Sequence, residues 1–195
     1  MGFEHHRVVI TAAGRDFGRT LALRFAARGA DVHLCARTLQ AAERVREAVL
    51  AQGHDAGRVH AYACDLADPA SVREFAAAVS ARTDRVDVLL NHGSRYHHGP
   101  DLLSASDAHD AFHAATSAQA GSTEILSRRL REHGVRVISL YPPDFDDHDP
   151  LSPQWEGAPR TAKDPRTAQS PVDCIFFAVG RPRDCFIKSF HFEQV

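Results

Sequence analysis

The stretch VVITAAGRDFGRTLALRFAARGADVHLCAR, Val8 to Arg37, decides the architecture. It opens on a β-branched run, Arg7–Thr11 (RVVIT), which reads as a buried strand bounded by a glycine-containing turn. A helix is expected from about Phe17, with Leu21, Phe25 and neighbouring alanines on one face and Gly29 just past its end in the C′ position. Asp31–Ala36 (DVHLCA) then reads as a second apolar strand. Two apolar strands joined through a helix form a βαβ unit, which predicts parallel strands covered on both faces.

The same alternation continues outward. Leu39–Gln52 has helical periodicity and is closed by Gly53, and Arg58–Cys64 (RVHAYAC) is a third strand. Asp68 is placed to cap a third helix with Pro69 at its first position, and Val86–Asn91 (VDVLLN) is a fourth strand. A long helical pattern covers Ser106–His133, Gly134 breaks it, and Val135–Tyr141 (VRVISLY) reads as a fifth strand. Between Pro142 and Pro165 lie six of the ten prolines, together with Asp144, Asp146, Asp147 and Asp149, which predicts a long loop over the strand ends. A last helix begins at Ser170-Pro171 and ends near Gly180, and Cys185–Phe192 is a sixth strand.

Composition narrows the function classes. The chain has 195 residues, a length expected for one domain (1–195), and 23 basic against 25 acidic residues; this near balance argues against a nucleic-acid partner. No apolar run approaches the ~20 residues that span a bilayer, and the N-terminus lacks a signal pattern, so a soluble, cytoplasmic protein without a membrane partner is expected. Cys35, Cys64, Cys174 and Cys185 fall in apolar stretches and are expected to be reduced core thiols. Arginine supplies 21 of the 23 basic residues; the lysines are Lys163 and Lys188 alone.

On these residues the chain resembles the short-chain dehydrogenase/reductase family. Val8–Arg37 is similar to its opening, Asp65-Leu66 follow the third strand as in the family, and VDVLLNHGS (Val86–Ser94) and GVRVISLYPPDF (Gly134–Phe145) match later elements. The resemblance implies a Rossmann-like, doubly wound parallel sheet, here with about six strands in the order 3-2-1-4-5-6. It also implies a dinucleotide site. The family's first turn, Thr-Gly-x-x-x-Gly-x-Gly, lets backbone approach the cofactor phosphates at a helix N-terminus. Here the turn reads Thr11-Ala12-Ala13-Gly14-Arg15-Asp16-Phe17-Gly18, with Gly18 the one matching glycine and Gly14 expected to supply some of the lost flexibility.

Thr11, Gly14, Arg15, Phe17, Gly18, Arg37, Asp65, Leu66 and Asn91 are the cofactor-binding candidates that the resemblance implies. Arg15 and Arg37 stand where members preferring NADP(H) place cations for the ribose 2′-phosphate, while Asp65 and Leu66 would flank the adenine and Asn91 a ribose. Asp16 opposes this by placing a carboxylate where a pyrophosphate lies. A like-charge pair at ~4 Å costs about 1 kcal/mol in water and about 4 at an effective dielectric of 20. A carboxylate also suits the positive end of a helix, so Asp16 is expected to weaken NADP(H) binding or to take the phosphate position itself.

The family's catalytic pair is a Tyr with a Lys four residues on, the Lys lowering the Tyr pKa for proton transfer. Four residues after Tyr62, Tyr96 and Tyr141 stand Leu66, Pro100 and Phe145. Aligned on GVRV, the family's catalytic helix places Phe112 at the Tyr and Thr116 at the Lys. From Asn91 to Phe112 there are only 21 residues, against ~30 or more in a full βαβ passage, so one helix-strand unit is expected to be missing between about 94 and 110.

Histidines offer substitutes. His113, beside the vacated Tyr position, and Tyr141 are the candidate proton donors. His92, His97, His98, His109, His113 and the Asp144–His148 stretch lack the spacing of a metal motif, and no metal is expected. Trp155 is expected to pin its loop to the core. The resulting expectation is a degenerate family member acting on a small-molecule substrate or nucleotide, as a non-redox biosynthetic enzyme or a silent partner. The alternatives are an NADP(H)-dependent carbonyl reductase with a substitute proton donor, and a structural subunit. The long Ser106 helix resembles the family's dimerisation helix, which implies a homo-oligomer or pairing with a full-length homologue.

Overall fold

The computed structural model describes residues 2–93, 105–141, 148–158, 161, 167–182 and 184–192, with the side chains of residues 56, 105–116 and 156 outside the description. The chain divides into two compact units. The first comprises Met1–Gly93, Asp146–Arg160 and Asp164–Val172, and the second Ser94–Phe145, Thr161–Lys163 and Asp173–Val195.

The first unit is built on four parallel strands, β1 (Arg7–Ile10), β2 (Asp31–Ala36), β3 (Val59–Ala63) and β4 (Val88–Leu90), in the order β3-β2-β1-β4. Helices α1 (Asp16–Ala26), α2 (Leu39–Ala51) and α3 (Pro69–Ser80) join them. Val8, Ile10, Val32, Leu34 and Cys35 have no exposed surface, as expected of strands covered on both faces. Leu21, Phe25, Ala42, Val45 and Val49 supply the helical side of the core.

Punctuation works as the residues dictate. Thr38 caps α2 by accepting from Ala41 N–H (3.3 Å), and Asp68 caps α3 by accepting from Ala70 N–H (2.9 Å) with Pro69 following. Gly29 (φ +82°) and Gly53 (φ +76°) end α1 and α2 in the left-handed conformation that glycine adopts without strain. Part of the proline-rich stretch also belongs to this unit. Short α5 (Pro153–Gly157) carries Trp155, buried to 1% exposure, with Arg24 of α1 stacked 5.7 Å from its ring centre. Arg19 binds Asp149 at 3.0 Å. Trp155 therefore pins its segment, as expected.

The second unit contains α4 (Ala105–Leu130), a 3₁₀ turn at Arg131–His133, β5 (Ser139–Tyr141), part of α6 (Gln169–Val179) and β6 (Ser189–His191). β5 and β6 pair in parallel as a two-stranded sheet. The expected six-stranded order is corrected here: 3-2-1-4 is found, whereas among the described residues the last two strands bond only to each other. Each is three residues long, too few ladder bonds to define a wide sheet. The cysteines are all free, but only Cys35 and Cys64 are core residues; Cys185 is exposed. Among the described residues no helix is long and apolar enough to cross a membrane.

Candidate functional site

Parallel strands end at one edge, and open α/β sheets bind ligands there. In the first unit this edge is assembled by backbone bonds. Ala13 N–H donates to Cys35 O (2.8 Å) and Cys64 N–H to Ala36 O (2.8 Å), tying the ends of β1, β2 and β3 together. Thr11 N–H donates to Leu90 O (3.0 Å), and the Thr11 hydroxyl accepts from His92 N–H (3.1 Å). These bonds gather Thr11, the 12–18 turn, Arg37, Asp65, Leu66 and Asn91 at the end of one sheet.

The turn itself depends on missing side chains. A Cβ on Gly18 would lie 2.5 Å from Ala12 O and 2.9 Å from His92 Nδ1, and one on Gly14 would lie 2.7 Å from Ala36 Cβ. Gly14 thus serves close approach rather than the flexibility expected of it. The left-handed positions are instead Ala12 (φ +53°) and Asp16 (φ +49°), sites where a side chain carries strain. A Cβ on Gly93 would collide with Leu66, whose side chain leans across that end of the sheet.

Asp16 is the first residue of α1; its carboxylate is 62% exposed and pairs with Arg15 Nε at 3.4 Å, and Arg15, at the N-cap, makes no side-chain capping bond. In solvent, beside a cation, the repulsion of an approaching anion by Asp16 belongs at the low end, about 1 kcal/mol. Arg15, Arg37, Asp65 and Asn91 are exposed, whereas Thr11, Phe17 and Gly18 are buried beneath the turn. Asp65 is held by its own loop: its carboxylate accepts from Ala67 N–H and its N–H donates to Ser71 Oγ, both at 3.0 Å.

His92, in the loop after β4, packs its ring 5.7 Å from that of Phe17, beneath Gly18. Burial pushes its pKa down, against the opposing pull of the Ala12 backbone and the Asp16 carboxylate. Its signal in the sequence is position only: it stands where VDVLLNHGS turns under the first glycine turn.

The substitute proton donors fall in the second unit. His113 lies on α4 with its side chain outside the described residues, as are His97, His98 and residues 142–147. Tyr141 lines a cavity of about 230 Å³ with Ser127, Ser139, Lys188, Ser189 and His191. Its ring stacks on His191 at 4.6 Å, and Lys188 pairs with Glu124 at 2.5 Å, holding that carboxyl below its usual range.

These edges and turns recur in known proteins. The fatty acyl-CoA reductase of Acinetobacter baylyi is 38% identical over 87 residues, 45% of this chain and 28% of that protein. An uncharacterised oxidoreductase of Mycobacterium tuberculosis is 34% identical over 135 residues, 68% of this chain and 50% of its own length. The chain thus spans half or less of these relatives. Among solved structures, a betaketoacyl-[ACP] reductase from Bacteroides thetaiotaomicron superposes with a TM-score of 0.78 at 18% identity, covering 97% of both chains. A short-chain dehydrogenase from Burkholderia cenocepacia, solved in complex with NADP, gives 0.71 at 22% identity over 94% of both. The short chain dehydrogenase family model matches residues 6–112, which take in the strand-end turn, Asp65-Leu66 and the β4 loop described above. By sequence as well as by fold, this chain belongs to the short-chain dehydrogenase family.

Proposed function

We propose that the first unit binds a nicotinamide dinucleotide, NADP(H) in preference to NAD(H), and that the chain works without the family's tyrosine–lysine proton transfer, as a non-redox biosynthetic enzyme or a silent nucleotide-binding partner. The observation that carries the nucleotide is the tightly packed glycine turn at the strand ends, where a Cβ on Gly18 would press on Ala12 O and one on Gly14 on Ala36. Beside it the N-terminus of α1 has no side-chain cap, so its amides are available to a phosphate. Arg15 and Arg37 are exposed cations at the same edge, suited to a 2′-phosphate. In this reading the dinucleotide is bound without hydride transfer; the chain's own residues supply phosphate amides, cations and, through Leu66 and Gly93, an apolar wall.

The catalytic half of the reading rests on the chain's residues: no Tyr in these 195 positions is followed four residues later by Lys. A second reading, an NADP(H)-dependent oxidoreductase with a substitute donor, is favoured by the cavity in which Tyr141 faces Lys188 and His191. NADPH fluorescence titration tests the binding. A Kd below ~100 μM, about tenfold weaker in Arg37→Ala while NADH binding is unchanged, is expected. Failure to bind at millimolar NADPH would overturn it. Turnover of carbonyl substrates that is lost in Tyr141→Phe would replace the first reading by the second.

A further inference from the structure

A cluster at the other end of the sheet has no part in nucleotide binding. Asp31 and His33 lie two residues apart on β2, and His60 of β3 is the cross-strand partner of His33. The strand period of two places all three, with Tyr62, on one sheet face, the three towards the N-terminal ends of their strands and Tyr62 nearer the C-terminal end of β3. Asp31 Oδ1 lies 3.0 Å from His60 Nε2 and 3.7 Å from His33 Nε2, and the three ligand atoms are all within 4.8 Å of one another. Tetrahedral zinc with ~2.0–2.1 Å bonds sets its ligand atoms ~3.4 Å apart, so the set needs only small adjustment.

His33 points most directly to a ligand. It has no exposed surface, its Nδ1 is 3.0 Å from the Tyr62 hydroxyl, and its Nε2 is buried without a hydrogen bond. A ring nitrogen held by a neighbouring hydroxyl, with the other aimed at a carboxylate and a second imidazole, is the arrangement that orients a metal-binding histidine. Sequence spacing could not show it, because the ligands come together through strand register rather than through a local motif.

We propose that Asp31, His33 and His60 form a binding site for a divalent borderline metal ion, zinc in the first place, with Tyr62 orienting His33 and the half-exposed Asp31 side leaving room for water as a fourth ligand. Two imidazoles and one carboxylate suit such an ion better than calcium or magnesium, which take oxygen ligands. Arg82 opposes the ion. Its guanidinium lies 3.4 Å from His60 Nδ1, and since arginine only donates, it holds the His60 tautomer whose proton sits on Nε2 and faces Asp31. Metal binding moves that proton to Nδ1 and expels Arg82, which is exposed and has space to leave. The ion therefore joins β2 to β3 in competition with the arginine.

The test titrates Zn²⁺ and Co²⁺ into the full, untagged chain after chelator treatment. One equivalent of Co²⁺ is expected to give the visible absorption of a low-symmetry site, displaced by Zn²⁺. Asp31→Asn and His60→Gln, at partly exposed positions and checked for folding by circular dichroism, are expected to weaken binding more than tenfold. Tyr62→Phe should weaken it about tenfold, as removal of an orienting partner does. Arg82→Ala should tighten it several-fold, a result that adventitious binding by the chain's 13 histidines would not give. No saturable binding below millimolar metal, or wild-type affinity in His60→Gln, would overturn the site; unchanged affinity in Arg82→Ala would overturn the competition.

Discussion

The His92 backbone amide donates to Thr11 Oγ1 at 3.1 Å, across 81 residues of sequence, and so fixes the loop after β4 against the end of β1. Because Thr11 also donates its own amide to Leu90 O, one nearly buried residue sets the relative height of the two loops that frame the strand-end cradle. Thr11→Val keeps the volume and removes the acceptor, leaving a part-buried N–H unpaired at a cost of about 1–2 kcal/mol. The expected result is a fall in Tm of roughly 2–6 °C together with weaker NADPH binding. Unchanged Tm would show that this bond does not hold the two loops.

Gly18→Ala tests the same floor from the other side. Its Cβ would meet Ala12 O at 2.5 Å, a backbone atom that cannot rotate away, and His92 Nδ1 at 2.9 Å. The turn must lift, so NADPH affinity is expected to fall at least tenfold, read by fluorescence titration. Gly53→Ala is the control, since a Cβ there meets nothing within 4 Å; strain from its φ of +76° lowers stability without touching the cradle.

Asp16→Gly should strengthen nucleotide binding by about fivefold, the equivalent of ~1 kcal/mol from one exposed like-charge interaction. The gain should shrink with added salt, because the carboxylate is 62% exposed and already paired with Arg15. An affinity that does not change would remove Asp16 from the account of the site.

Strand alternation, cap residues and the terminal glycines were legible because each is a local signal: a β-branched run, Asp68 before Pro69, Gly29 after a helical face. The order β3-β2-β1-β4 followed from them and from the family resemblance. What stayed hidden depends on contacts distant in sequence. Nothing near His92 tells that its ring packs beside that of Phe17. The Asp31–His33–His60 cluster likewise needs the register of β2 against β3, which a spacing rule for metal motifs does not contain.

Trp155 is the anchor of the proline-rich segment within the first unit, buried to 1% with Arg24 over its ring. Trp155→Ala is expected to cost about 3–5 kcal/mol in urea denaturation, the usual figure for deleting a buried aromatic. Arg19→Ala breaks a pair whose carboxylate partner, Asp149, is half exposed, and should cost less than about 1 kcal/mol. Equal losses in the two variants would show that the ion pair, not the indole, holds the segment.

Acid should unfold the metal-free protein through His33. Burial, with the nearby His60 ring, lowers its pKa from 6.5 to about 4, while Asp31 pulls the other way and Arg82 and Arg7 add to the fall. In the unfolded chain the ring takes up a proton as pH drops through 6.5; in the folded chain it stays neutral until about pH 4. The unfolded state therefore binds more protons in that window, and stability, complete above pH 6.5, is lost as pH falls towards 4. A difference of this size corresponds to at most about 3 kcal/mol. Urea denaturation in the presence of chelator, repeated from pH 7.5 to 4.5, should show this decline, and His33→Gln, less stable at neutral pH, should show a flatter one over the same interval. Parallel pH profiles for the two proteins would mean that folding does not shift the His33 pKa.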